Sequence, residues 1–270
     1  MKKRFIGVAA VVAAGMLAGC GGGSSATDTA KVAGKVADGY LQYATVFMDK
    51  NGNYLLDAGE PSAQTDENGA YTLNVDPADL GKYPIVAMAV QGVTIDKDTG
   101  MKVAHSYLMS LPKESVSGTV SSNFISPLTT QIREMLETGN YNMDTAMTQL
   151  RDRLHLDSGS NVMGDYIQGQ NQTMHSTAQN MASIMGGQMG QVFMTSGTTT
   201  TVDVNRYRGM MGAMFSNISS VRAASTNTEM TQLMNQMTST LDTISIAQPF
   251  QNMSSYYRQG MMSGGGGMGM

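Results

Sequence analysis

The chain has 270 residues, of which 17 are basic, 21 are acidic and 41% are hydrophobic. Its formal net charge of -4 provides no general basic surface, which argues against nonspecific binding of nucleic acid. A single cysteine cannot form an intramolecular disulfide, and three histidines leave little material for a Cys/His metal cluster or a His-based catalytic centre. The composition therefore points away from an enzyme.

The first twenty residues have the pattern of a secretion signal. Three basic residues, 2–4, precede an apolar stretch over 5–17 that is shorter than the roughly 20 residues a membrane-spanning helix needs. The stretch ends in Leu17-Ala18-Gly19-Cys20, which resembles the lipobox of bacterial lipoproteins. The resemblance implies that residues 1–19 are a signal peptide and that Cys20 is acylated after cleavage. An ordinary secretion signal with a chance cysteine is the alternative.

The lipobox resemblance predicts a protein anchored to the bacterial cell envelope. Several acyl chains, at about 0.8 kcal/mol per buried methylene, would make the anchor effectively permanent. Gly21 rather than Asp follows the cysteine, which resembles the pattern exported to the outer membrane. Residues 20–29 include a Gly-Gly-Gly-Ser-Ser run and predict a flexible linker.

Residues 30–112 predict a small antiparallel β-sandwich. In 41–47 and 71–75, large apolar groups recur at about every second residue, as half-buried strands require. Clusters of turn-forming residues separate the apolar segments. The predicted strands cover 31–36, 40–48, 70–75, 84–90 and 103–111.

Near residue 126 the apolar period changes from two to about 3.6, which predicts an all-α helical bundle over 126–248. Ser126 is a candidate N-cap, and Pro127 takes the first helical position. The fold class is therefore α+β, with the sandwich first and the bundle second. The predicted helices cover about 127–136, 143–154, 165–185, 203–221 and 230–244.

The last part of the chain carries unusually little charge. Residues 161–270 hold four acids, four arginines and no lysine, so the exposed helix faces must be built from uncharged polar residues. Self-association of the bundle, or its cover by a partner, is an expected consequence. The segment 249–270 is rich in Met, Gly and Ser and is predicted to be a disordered tail.

A twelve-residue loop, 49–60, carries the one pattern typical of metal chemistry. Oxygen-bearing side chains stand at its positions 1, 3, 5, 9 and 12, which is EF-hand ligand spacing for calcium. The predicted ligands are the side chains of Asp49, Asn51, Asn53 and bidentate Glu60, the Leu55 carbonyl, and a direct or water-bridged Asp57. Tyr54 stands at position 6, where the turn normally requires glycine, and Leu56 is predicted to pin the loop to a core. Asp66 and Asp96 are further candidate ligands, although Asp66 is expected to be only a hairpin residue. For the loop 49–60 itself, a solvated turn between strands is the alternative.

The residues around this loop resemble a known module. The segments Asp38–Asp49, Asp57–Pro61 and Thr65–Leu73 are similar to the carboxypeptidase-regulatory-like, or prealbumin-like, modules of bacterial surface proteins. Those modules are β-sandwiches that carry an EF-hand-type calcium loop without EF-hand helices. The resemblance covers 32–136, and it implies binding and display rather than catalysis.

The methionines suggest a second function. Of 26 methionines, 20 follow residue 130, and thioethers are soft ligands that suit Cu(I) in an oxidising periplasm. Most of those in the predicted helices fall on apolar stripes, where they are expected to fill the core. The predicted tail contains others that no stripe explains: Met253, Met261, Met262, Met268 and Met270.

No nucleophile elbow, His-Glu-x-x-His pair or phosphate-binding glycine loop occurs in the sequence. His155 and His175 are expected to be surface or packing residues. The sequence therefore predicts a lipid-anchored, calcium-stabilised binding or display module of the bacterial envelope, without catalysis. Its expected partners are the membrane, through the anchor, and an unidentified protein or cell-surface ligand. A copper-binding lipoprotein and, more remotely, a hydrolase with an unrecognised site are the alternatives.

Overall fold

The computed structural model describes residues 29–118, 123–197 and 199–244. Strands fill the first part of this region. They are β1 (Ala30–Val36), β2 (Leu41–Gln42), β3 (Thr45–Met48), β4 (Ser62–Gln64), β5 (Ala70–Val75), β6 (Ile85–Ala89), β7 (Ile95–Asp96), β8 (Met101–Lys102), β9 (Tyr107–Leu111) and β10 (Phe124–Ile125). Helices and one hairpin follow. They are α1 (Pro127–Glu137), α2 (Met143–Arg153), α3 (Gln172–Val192), β11 (Phe193–Ser196), β12 (Thr199–Val202), α4 (Val204–Ser216), α5 (Ile218–Ala223) and α6 (Asn227–Asp242).

The predicted α+β class is confirmed, with a β-rich first part and a helical second part. The strands form small sheets with the orders β10-β1-β5, β4-β3-β6-β9 and β2-β7-β8. All their pairs are antiparallel except β1 with β10. In β5, the side chains of Tyr71, Leu73 and Val75 are buried and those between them are exposed, as the alternating pattern predicts. The predicted strand over 40–48 is divided by Tyr43, whose φ is +62°.

Strand β9 is the edge of its sheet, and helices α1 and α4 cover that edge. The Ser110 N–H donates to Oγ1 of Thr130 at 2.8 Å, and the Ser110 carbonyl accepts from the Thr129 hydroxyl at 2.9 Å. The Tyr207 hydroxyl of α4 donates to the Leu108 carbonyl at 2.8 Å. Because these hydroxyls satisfy main-chain groups that an edge strand leaves unpaired, the strand is buried along its whole length.

Helix α1 begins where the sequence predicts. The Ser126 side chain accepts from the Thr129 N–H, and the Thr129 hydroxyl accepts from the Ser126 N–H, which forms a capping box before Pro127. Every residue from Pro127 to Met135 is buried, because β9 and helices α2, α3 and α4 all pack against α1. The helix therefore runs through the centre of the molecule.

The third predicted helix, over 165–185, is displaced. Helix α3 begins after Asn171, whose side chain accepts from the Met174 N–H, and it continues through Gly186 and Gly187 to Val192. A Cβ on Gly186 would lie 3.4 Å from His105, and one on Gly187 would lie 3.2 Å from the sulfur of Met234. The two glycines thus allow close packing inside the helix rather than ending it.

The helical part also differs from the predicted bundle in two other places. The hairpin β11–β12 lies between α3 and α4, and the predicted helix over 203–221 is divided at Asn217 into α4 and α5. Strands and helices share one continuous hydrophobic core. The helical methionines that are fully or almost fully buried there, as predicted, are Met135, Met174, Met181, Met185, Met189, Met210, Met211, Met214 and Met237.

Several predictions fall on residues outside the described ranges. These are the signal peptide 1–19, Cys20, the linker 20–29 up to residue 28, and the tail 249–270 with its methionines. Within the described ranges, none of the helices combines the length and apolar content needed to span a bilayer.

Candidate metal centre and its buried anchor

The predicted calcium loop, 49–60, connects strands β3 and β4. Its two ends are closed by a hydrogen bond from the Met48 N–H to the Pro61 carbonyl at 3.0 Å. The Asp49 N–H donates to the Pro84 carbonyl at 3.1 Å, which ties the start of the loop to the segment before β6. The loop therefore leaves the four-stranded sheet from a fixed base.

Three of the predicted ligands gather at one point. The side-chain amides of Asn51 and Asn53 both donate to Oδ2 of Asp57, each at 2.7 Å. The Asn53 Oδ1 atom accepts from the Leu55 N–H at 2.8 Å, so the Leu55 main chain belongs to the same turn. The spacing of positions 3, 5 and 9 thus brings these side chains together, as the sequence pattern predicts.

Glu60 closes the loop from its last position. Its Oε1 atom accepts from the Lys50 N–H at 2.7 Å, and its Oε2 atom accepts from the Asp57 N–H at 3.1 Å. Both carboxylate oxygens therefore point into the loop. A bidentate ligand at position 12 also uses both oxygens, so an ion would have to replace these two hydrogen bonds.

Asp49 organises the first turn of the loop and is buried. Its Oδ1 atom accepts from the main-chain N–H groups of Gly52 at 2.8 Å and Asn53 at 3.2 Å, and its Oδ2 atom accepts from that of Tyr54 at 3.2 Å. The guanidinium of Arg133 lies 3.4 Å from Oδ2. Asp49 is therefore shared between the loop and helix α1.

Tyr54, the departure from the EF-hand pattern, takes the conformation that glycine normally supplies. Its φ is +64°, and its side chain is fully buried. The ring lies against the guanidinium of Arg133, with 4.2 Å from Cζ to the ring centroid, and against the ring of Tyr207 at 4.8 Å. Its hydroxyl donates to Oε1 of Glu134 at 2.7 Å.

Leu56 does not pin the loop to the core, so that prediction is wrong. Its side chain is 43% exposed, whereas Tyr54 is buried against α1 and α4. A left-handed conformation costs a residue other than glycine about 1–2 kcal/mol, and burying a large apolar side chain contributes about 1.5–3 kcal/mol. The burial of Tyr54 offsets the strain of its backbone.

The anchor of Tyr54 is a cluster of charges that are buried except for Glu137 at its edge. Arg208 Nε lies 3.2 Å from Glu134 Oε2, and Arg208 Nη2 lies 3.2 Å from Glu137 Oε2. Burial raises the pKa of Glu134, and the positive charges of Arg133 and Arg208 act against that shift. Burial lowers the pKa of Arg133, but Tyr54 and the neighbouring carboxylates raise it overall, so the guanidinium stays charged.

The guanidinium of Arg133 is only partly hydrogen-bonded. Its Nε and Nη1 atoms have no hydrogen-bond partner in the described part of the chain. The face of the Tyr54 ring covers the group and supplies a cation–π contact, which is worth about 2 kcal/mol when the partners are desolvated. Tyr54 and Arg133 therefore stabilise each other, and the loop is coupled to α1 through this pair.

The donor set of the loop fits a hard cation. Carboxylate, amide and main-chain oxygens are the ligands that calcium takes, and the loop contains no sulfur ligand. In the described ranges no group of three or more His, Cys, Asp or Glu side chains is arranged to hold a metal ion. The loop carboxylates explain this, because Asp49 and Glu60 turn their oxygens to main-chain N–H groups and Asp57 accepts from two amides. A bound ion would have to compete with these hydrogen bonds.

The two further candidate ligands lie elsewhere in the fold. Asp66 accepts from the N–H groups of Asn68 and Ala70 at 2.8 and 2.9 Å, which makes it a hairpin residue. Asp96 belongs to β7 and pairs with Leu41 in another sheet.

A comparison with known protein families, with curated proteins and with solved structures finds no match for this chain. Any function assigned to the chain therefore depends on the geometry and chemistry of these residues.

Proposed function

We propose that the chain is a lipid-anchored protein of the bacterial cell envelope whose folded part is a calcium-stabilised binding or display module without catalysis. The observation that carries this proposal is the gathering of Asn51, Asn53 and Asp57 within a loop that Glu60 closes. These four side chains are hard oxygen donors at the spacing that calcium loops use.

The calcium ion would be held by the oxygens of the loop. It would supply the positive charge that the carboxylates of Asp49, Asp57 and Glu60 lack. Arg133 already offsets part of the charge on Asp49 at 3.4 Å, so the remaining attraction for calcium is modest. The expected dissociation constant is about 0.1–1 mM, the range of extracellular calcium modules.

Calcium would act on more than the loop itself. Tyr54 and Asp49 both contact α1, so fixing the loop also fixes the packing of that helix. At a calcium concentration about one hundred times the dissociation constant, binding adds about 2.7 kcal/mol to the free energy of unfolding. The ion would therefore stabilise the whole module rather than act as a signal.

The anchor places this module near the membrane. Acylated Cys20 would lie in the bilayer, and the chain from there to Ala30 reaches at most about 35 Å when fully extended. The module would thus stand close to the envelope surface and bind a protein or cell-surface partner there.

Thermal unfolding of the purified full chain tests whether calcium stabilises the module. The variants are Glu60→Gln, which removes the charge that closes the loop, and Glu67→Gln, a matched change at an exposed residue outside the loop. Calcium should raise the melting temperature of the wild type and of Glu67→Gln, and chelation should lower it again. Glu60→Gln should respond weakly or not at all. A wild-type melting temperature that is the same in calcium and in chelator would contradict the proposal.

A further inference from the structure

A second region of the fold forms an open cavity of about 440 Å³ between the β7–β8 turn, the start of β9 and helix α3. No residue of the loop 49–60 lines it. Its polar lining includes Asp38, Asp96, Lys102, His105, Tyr107 and Gln179.

Asp38 is the most unusual of these residues. It is only 8% exposed, and its Oδ2 atom accepts from the Tyr107 hydroxyl at 2.8 Å. Its Oδ1 atom is buried and has no hydrogen-bond partner among the residues that the structure describes. A buried oxygen without a donor is destabilising unless a ligand supplies the missing hydrogen bond.

Gly39 brings two more carboxylates close to Asp38. A Cβ on Gly39 would lie 2.5 Å from Oδ1 of Asp96 and 2.5 Å from Oδ2 of Asp98. The missing side chain leaves room for both carboxylates beside the main chain that carries Asp38. A substitution at this glycine would push them away.

The two carboxylates have different partners. Asp98 Oδ2 is satisfied from α3, since it lies 2.6 Å from Nε2 of His175 and accepts from Nε2 of Gln179 at 2.8 Å. Asp96 accepts from the Asp98 N–H and from the Thr99 hydroxyl, at 2.9 and 3.0 Å. Within the described ranges, neither Asp96 nor Asp38 forms an ion pair. Negative charge is therefore left without a cationic partner at this end of the cavity.

We propose that this cavity binds a primary ammonium group on an aliphatic chain, with Asp38 as the anchoring residue and Asp96 as a supporting acceptor. A compact ammonium has three N–H donors, so it can donate to the unpartnered Oδ1 of Asp38 and to the remaining lone pair of an Asp96 oxygen that already accepts one hydrogen bond. A guanidinium fits less well, because its paired donors require both oxygens of one carboxylate, and Tyr107 already occupies Oδ2 of Asp38.

The walls of the cavity suit the rest of such a ligand. Apolar side chains of Met101, Val103, Ala104 and Ala182 line it. They can contact an alkyl chain while its charged end lies near Asp38. A lysine side chain of a partner protein and a free alkylamine share this chemistry.

The charge on Asp38 makes binding depend on pH. Burial raises the pKa of Asp38 to about 7, and nearby Asp96 and Asp98 add to the shift. An ammonium binds the ionised carboxylate, so its affinity should rise by about tenfold between pH 6 and pH 8. Lys102 and His105 also line the cavity, and His175 lies beside Asp98.

The test is a calorimetric titration of the purified full chain with n-butylammonium chloride at pH 6 and pH 8, with n-butanol as the uncharged comparison. The wild type should bind the ammonium more tightly at pH 8 and should bind butanol at least tenfold more weakly. Asp38→Asn should lower affinity for the ammonium at least tenfold at pH 8, because it removes the carboxylate charge. The Asn side-chain oxygen can still accept from the Tyr107 hydroxyl, so this contact within the fold is kept. Asp144→Asn, an exposed change on α2, should leave affinity unchanged.

Asp96→Asn provides a second variant, in case circular dichroism shows that Asp38→Asn does not fold. Its expected loss of affinity for butylammonium is about threefold or more.

A blocked Gly-Lys-Gly peptide distinguishes the two ligand sources, which are a lysine of a partner protein and a free alkylamine. Tighter binding of the peptide than of butylammonium indicates a partner's lysine, and weaker or equal binding indicates a free amine. Equal binding of butylammonium and butanol, or full affinity in folded Asp38→Asn or in Asp96→Asn, would overturn the proposal. The result does not depend on calcium, because the two sites share no residue.

Discussion

The hydroxyl of Tyr54 donates a 2.7 Å hydrogen bond to Oε1 of Glu134, and so joins the candidate calcium loop to the central helix of the fold. Both partners are buried. The contact connects two parts of the chain that are 80 residues apart in sequence. Loop and helix should therefore gain and lose stability together.

Tyr54 combines a strained left-handed backbone with a buried side chain, and glycine substitutions separate these two contributions to stability. Tyr54→Gly relieves a left-handed backbone conformation that costs about 1–2 kcal/mol, but it removes a buried aromatic side chain, which costs about 3–5 kcal/mol. We expect a net loss of about 1–4 kcal/mol in the free energy of unfolding, measured by urea denaturation.

Tyr43 is the matched control for that experiment. Its φ is +62°, close to that of Tyr54, but its side chain is 44% exposed. Tyr43→Gly should therefore be neutral or stabilising by up to about 1 kcal/mol. Equal losses at the two positions would show that the burial of Tyr54 does not anchor the loop.

Features of the fold that are fixed by residues close together in sequence, such as a helix cap or a turn, could be predicted from the sequence. The start of α1 is correct because Ser126, Pro127 and Thr129 form the cap within four residues. The side chains of Asn51 and Asn53 meet at Asp57, as their spacing predicts, because a turn depends on its own residues. Their role as calcium ligands stays a prediction.

Features that depend on distant packing could not be predicted in the same way. Gly186 and Gly187 look like the end of a helix, but contacts with His105 and Met234 keep them inside one. The polar side of α1, with Glu134, has the pattern of a solvated face, yet α4 and the loop 49–60 cover it. No local pattern near Tyr54 identifies its partners on α1.

Asp38 should make stability depend on pH. Its pKa is raised to about 7 in the folded chain, against about 4 for an unfolded Asp. Its contribution is therefore fully present below about pH 4 and is lost as pH rises through 7. The free energy of unfolding of Asp38→Asn, relative to that of the wild type, should therefore rise by as much as about a few kcal/mol between pH 5 and pH 8. Urea denaturation of both proteins at the two pH values measures this difference. A constant difference would mean that Asp38 does not carry a raised pKa.

The helical methionines should behave as core residues. Met211 and Met214 are fully buried, so replacing either with serine should cost about 2–5 kcal/mol. Met101 is 65% exposed, and the same change there should have little effect. Chemical denaturation of the three variants compares them directly. Similar midpoints for all three would count against the core assignment and favour a ligand role for the buried thioethers.

Cys20→Ser should move the protein from the membrane fraction to the soluble fraction of cells. The expected anchor is acyl chains on this cysteine, and its loss removes the main contribution to membrane affinity. Fractionation followed by a carbonate and high-salt wash measures the distribution. Persistence of the variant in the washed membranes, with aggregation excluded, would contradict the lipid anchor.

The most direct test of the proposed calcium site is a calorimetric titration of the purified full chain with calcium chloride. We expect one ion per chain with a dissociation constant of about 0.1–1 mM, retention of binding in Glu67→Gln and a loss of at least tenfold in Glu60→Gln. The absence of calcium binding in the wild type at millimolar concentration, or full affinity in Glu60→Gln, would contradict the assignment of the loop 49–60 as a calcium site.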